Sequence, residues 1–102
     1  MQFQLVLQFD ATTHKEFEEL SPLEDLLRDN LSDNAMVDGW DFGLGEYNIF
    51  IHTDEPQSVF TDAQKIMSAN RPDLPFRAGY RDFDEDDYAV LWPPSLRSFK
   101  VL

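Results

Sequence analysis

Apolar and polar residues alternate through the first positions of the chain: Phe3, Leu5, Leu7 and Phe9 fall on one side, and Gln2, Gln4, Val6 and Gln8 on the other. This period-two pattern predicts a strand with one face turned to a core. The pattern then changes to helical spacing. Thr13 with Glu16, and Ser21 with Glu24, both match the capping box, and Pro22 follows Ser21 at the first helical position. A short helical turn over 14–20 and a helix over 22–31 follow, with Phe17, Leu20, Leu23, Leu26, Leu27 and Leu31 facing inward. Residues 36–42 predict a second strand. Tyr47, Ile49, Ile51 and Thr53 mark one face of a third, with Asn48, Phe50 and His52 on the other. Gly43-Leu44-Gly45 joins these two strands as a hairpin.

The segment Asp54–Pro56 offers another helix start, with Gln57 positioned to complete the cap. Val59, Phe60, Ala63, Ile66 and Met67 form its stripe, and Asn70 ends it before Arg71-Pro72. A second hairpin closes the pattern: Phe76, Ala78 and Tyr80 on one strand, Tyr88, Val90 and Trp92 on the next, with Asp84–Asp87 between them. Pro93 and Pro94 end the pairing. The order predicts a single α+β domain over 1–102, a ferredoxin-like split β-α-β sandwich with two helices on one face of an antiparallel sheet and an extra C-terminal strand. Such a sheet leaves its second face open, with Phe50 and Val6 as candidate exposed apolar residues there. Arg77 and Arg81 alternate with Phe76, Ala78 and Tyr80, so they too fall on that non-core face.

Composition narrows the chemistry. The chain has no cysteine, which removes disulfides, thiolate metal sites and cysteine nucleophiles together. Twenty acidic residues against eight basic give a net charge of −12, which argues against nucleic acid and anionic membranes and for a basic partner. The charge is uneven: residues 1–70 hold 14 acids and three bases, a net of −11, and residues 71–102 hold six acids and five bases, a net of −1. No apolar run approaches the roughly 18 residues of a membrane span, and the N-terminal segment lacks the basic flank of a secretion signal; a cytoplasmic protein is the expectation.

Reaction motifs are missing. Asp82, Asp84 and Asp86 have the spacing that opens a calcium loop, but Asp87 and Pro93 stand where an EF-hand needs glycine and glutamate. Gly39, Gly43 and Gly45 lack phosphate-loop spacing, and no serine sits in a nucleophile elbow. His52 and Asp54, with Glu46 at the far end of the same strand, are the one conceivable acid–base or metal group, and only their convergence in a cleft would support catalysis. The expectation is therefore no catalytic residue, no metal and no cofactor.

The Asp38–Pro56 segment and the Tyr88–Pro94 segment, YAVLWPP, together resemble those of small uncharacterised bacterial proteins of about this length. The resemblance covers a third of the chain and implies the ferredoxin-like fold. In character, small, cysteine-free and acidic, the chain is also similar to immunity proteins that neutralise basic toxins. The first expectation is a non-enzymatic module that binds a basic protein partner, with Trp40, Glu46, Phe50, His52, Asp54, Arg77 and Arg81 as candidate binding residues. The alternative is a ligand-sensing domain, a homodimer holding a small molecule near Gly39–Glu46.

Overall fold

The structure is a computed structural model that describes residues 1–102. Its elements run β1 (Phe3–Asp10), α1 (His14–Leu20), α2 (Pro22–Asn30), β2 (Ala35–Gly43), β3 (Glu46–Thr53), α3 (Pro56–Asn70), β4 (Arg77–Asp82) and β5 (Ala89–Trp92). The strands form one five-stranded sheet in the order β2-β3-β1-β4-β5, with every neighbouring pair antiparallel. The chain is an α+β protein in which β1, the central strand, is paired on both edges. No helix is long and apolar enough to cross a membrane.

Register explains why the alternation works. On one face Phe9 lies opposite Tyr47, Leu7 opposite Ile49 and Ala78, and Leu5 opposite Ile51 and Tyr80. Leu20, Leu23 and Leu27 from the first two helices, and Val59, Phe60, Ala63 and Met67 from α3, join these residues in one buried cluster. All three helices therefore cover the same sheet face. Fully burying an aliphatic side chain stabilises by about 1.5–3 kcal/mol, so this layer supplies the main drive to fold.

Local chemistry matches expectation at some ends and not at others. Thr13 caps α1 by accepting from the Glu16 amide at 3.1 Å, while the Glu16 carboxylate accepts from the Thr12 amide at 3.1 Å. These bonds, with those to the Thr12 and Thr13 hydroxyls, hold the Glu16 carboxyl below the usual range. The expected box at Ser21 does not form. Ser21 has helical dihedrals and its hydroxyl donates back to the Glu18 carbonyl, so α1 runs into α2 and the Glu24 amide donates to the Ser21 carbonyl instead. At α3 the Thr53 hydroxyl accepts from the Glu55 amide, and Gln57 donates to the Tyr80 hydroxyl instead of completing a cap. Between β2 and β3 the turn residues Leu44 and Gly45 take φ of 55° and 86°, the paired positive values of a tight hairpin.

The second sheet face departs from expectation: it is not open. After β5 the chain turns at Pro93–Leu96 and continues to Leu102 without regular structure, folding back across the sheet. Phe99, 5% exposed, lies on Gly79, where a Cβ would come within 2.6 Å of its ring. The Lys100 carbonyl accepts from Gln8 Nε2 at 2.8 Å, and the Leu102 amide donates to Glu46 Oε1 at 2.9 Å. Val6, expected to be exposed, is 0% exposed, and Phe50 is half-buried. Apolar Val6, Phe50 and Gly79 align in one row across three strands, so the face carries a groove that the tail fills.

Two substitutions test this packing. Phe99→Ala should lower stability by about 3 kcal/mol, as for other buried aromatic truncations. Gly79→Ala, which leaves the Phe99 side chain intact but obstructs its seat, should release the same segment. In urea unfolding both variants should lose stability, and trypsin should cut at exposed Arg97 and Lys100 faster than in the parent protein.

Candidate functional site

Five of the seven candidate residues share the second sheet face, because Glu46, Phe50 and His52 alternate on β3 and Arg77 and Arg81 alternate on β4. Register sorts them into rows. Asn48, Gln8 and Arg77 form one row, and His52, Gln4 and Arg81 another. Arg77 donates from Nε to Gln8 Oε1 at 2.8 Å and from Nη2 to Asp10 at 2.9 Å. Arg81 donates to Gln4 Oε1 at 3.2 Å and to the Glu85 carbonyl at 2.9 Å, and Tyr88 also donates its hydroxyl to Gln4 Oε1 at 2.8 Å. The glutamines of β1 thus act as acceptors for two arginines and a tyrosine.

These residues do not converge on a reactive centre. Glu46 is buried and bonded to Asn48 and the Leu102 amide at the start of β3. His52 stands six residues away, about 20 Å along an extended strand, with Nε2 3.5 Å from Asp38 and its ring edge-on to Phe83 at 4.8 Å. Asp54 lies beyond the strand, where its carboxylate accepts from the Gln2 amide at 2.7 Å. His14 is on α1, paired with Glu18 at 2.9 Å. No group of three or more histidine or carboxylate side chains is placed to hold a metal ion.

Trp40 is different. It lies on the helix side of β2 and is 49% exposed, with its ring 4.9 Å from Phe17 and 6.0 Å from Tyr47. Phe17 and Tyr47, themselves packed together and with Phe42 against Phe17, hold it on one side, and the rest of the indole faces solvent. Strand β2 is the sheet edge and pairs only with β3, with an irregularity between Val37 and Gly39. Exposed Met36, Asp38 and Asp41 extend along this edge. Helix α2 packs beside it, with Arg28 donating to the Val37 carbonyl at 3.3 Å, and brings exposed Asp25 and Asp29 close. An anchored tryptophan, a strand with no second neighbour and exposed carboxylates, of which Asp38 pairs with His52 and Asp25 with Arg28, therefore meet at one edge.

Beneath Trp40, the Tyr47 side chain is fully buried and its hydroxyl has no hydrogen-bond partner. Desolvation, reinforced by the Glu24 and Asp25 carboxylates, pushes its pKa up to about 12. The sequence reading placed Tyr47 correctly on the core face, but nothing in the alternation pattern signals that its hydroxyl is unpaired. It also missed Phe99–Leu102. The available signal was Gly79, a glycine inside a strand between Ala78 and Tyr80, which marks close approach by another part of the chain.

Comparison with known proteins finds no matching family model, no similar curated protein and no matching solved structure.

Tyr47→Phe removes an unpartnered buried hydroxyl, so it should leave stability unchanged or raise it by up to about 1 kcal/mol. In the parent protein the phenol ionises earlier in the unfolded chain than in the fold. Its contribution is therefore complete below about pH 10 and falls as pH rises toward about 12. Urea unfolding across this alkaline range should show a steeper loss of stability in the parent than in Tyr47→Phe.

Proposed function

We propose that this protein is a non-enzymatic interaction module whose binding surface is the β2 edge and that its partner is a basic protein segment bound in extended form. The observation that carries the reading is the half-exposed Trp40, packed on Phe17 and Tyr47 beside an unpaired strand edge. A tryptophan already fixed by its neighbours loses little entropy on binding, and such residues dominate interface energies. An added strand would take up the outward backbone groups of β2, and Asp38 and Asp41 would attract Lys or Arg on it. The same two carboxylates repel a second β2, so the edge favours a basic strand over a copy of itself.

Charge supports the choice of partner. The −11 of residues 1–70 includes the acids of α1, α2 and β2, and only Arg28 and His14 form ion pairs on α1 and α2. This is the charge pattern expected of an immunity-like or accessory protein that receives a basic partner. The closed second sheet face removes the other surface on which such a partner could have docked. We further propose that the topology is ferredoxin-like. The order β2-β3-β1-β4 with antiparallel neighbours, and helices connecting β1 to β2 and β3 to β4, supports that reading, with β5 as the added strand. The ligand-sensing alternative has less to rest on, since none of the three surface hollows is lined by a residue of Gly39–Glu46.

Tagged protein passed through lysate of its native cell at low and high salt tests the function, with the Trp40→Ala and Asp38→Asn/Asp41→Asn variants alongside. The parent should retain a basic protein at low salt, since exposed pairs are screened over about 10 Å at 0.1 M. Trp40→Ala should weaken that binding by about 2 kcal/mol or more. Retention that ignores salt and both variants would contradict the proposal.

A further inference from the structure

A hollow of about 370 Å³ opens between β1, β4 and the loop joining β4 to β5. Its walls combine three aromatic residues, Phe3, Tyr80 and Tyr88, with three acids, Asp82, Glu85 and Asp87, and one base, Arg81. Phe3 and Tyr80 meet edge to face at 5.9 Å, which fixes both rings. Tyr88 is fixed by its bond to Gln4 and by Phe99 at 5.3 Å. None of the three carboxylates takes part in an ion pair. Asp82 accepts from Gln2 Nε2 and the Asp84 amide, which hold its carboxyl ionised.

The protein already holds one cation against this wall. The Arg81 guanidinium lies 5.5 Å from the centre of the Phe83 ring and 5.8 Å from that of Tyr88, and its hydrogen bonds go to the neutral oxygens of Gln4 and the Glu85 backbone. It forms no ion pair with Glu85 or Asp87, and the hollow keeps three acids against this one base. Ring faces attract organic cations through the quadrupole. A calcium ion instead needs about six to eight oxygens, and no cluster of three acids converges here.

We propose that this hollow binds a guanidinium or alkylammonium group, carried by a small molecule or by an Arg or Lys side chain of a partner. The cation stacks within the aromatic walls while Glu85 and Asp87 accept its hydrogen bonds. The site is on the opposite side of the sheet from β2 and stands whether or not that edge binds a strand.

Amide-resolved NMR titrations with N-methylguanidinium, butylammonium and the capped peptide acetyl-Ala-Arg-Ala-amide test the site. Saturable shifts should be confined to Phe3 and the 80–89 segment. Glu85→Gln/Asp87→Asn should weaken binding about tenfold, the scale of a ring contact plus a partly exposed charge pair. The same loss of charge on α1, Glu18→Gln/Glu19→Gln, should change it by less than about twofold. Tyr88→Phe keeps the ring and should keep binding; Tyr88→Leu keeps apolar bulk and should lose it. Tighter binding of the peptide than of either small cation assigns the ligand to a partner side chain, and equal affinity assigns it to a small molecule. Shifts spread over α1 and α2, equal weakening by both double variants, or undiminished binding by folded Tyr88→Leu would overturn the proposal.

Discussion

Phe99 resting on Gly79 is the contact on which the rest of the structure depends, because it decides what each face of the sheet can do. A sheet covered by helices on one side leaves the other to water, a partner or another part of the chain. Here Gly79 removes a side chain from the middle of the second face, and the tail places an aromatic ring in that space. Around it, the polar groups of that face find partners: Gln8 with Lys100 and Arg77, Glu46 with Leu102, Gln4 with Arg81 and Tyr88. Buried polar groups cost stability unless they are bonded, so tail and polar rows stabilise one another.

This closure also accounts for where binding surfaces remain. The arginines of β4 look from sequence like an exposed basic pair, yet both are committed to glutamines of β1 and to neighbouring chain. What stays available lies at the margins: the β2 edge with Trp40, and the aromatic hollow beside Tyr88. Both place exposed carboxylates near aromatic rings, a pairing of charge and ring quadrupole that attracts cations in general. The acidity of the chain thus has two local expressions on opposite sides of one sheet.

The sheet and helices were legible because burial on one face imposes a strict period. The alternation of Phe3 to Phe9, the stripe Val59–Met67 and the Gly45 turn all report local geometry. Helix caps were less legible: Ser21-x-x-Glu24 has the right residues, but α1 arrives already helical and the Glu24 amide bonds the Ser21 carbonyl rather than its hydroxyl. The tail was illegible, since a segment without regular structure has no period and its partners are 11 to 92 residues away in sequence. For the candidate site, alternation assigned Phe50, His52, Arg77 and Arg81 to one face. It could not reveal that this face is covered, nor that Trp40, on the other face, keeps half its surface in solvent.

The most direct measurement is the pattern of nuclear Overhauser contacts between the Phe99 ring and Gly79. The account requires strong contacts between the ring protons and the Gly79 α-protons, together with an upfield ring-current shift of those α-protons and slow amide exchange at Leu102. A tail with random-coil shifts, sharp lines and no contact to Gly79 would contradict it, and would return the second face of the sheet to solvent.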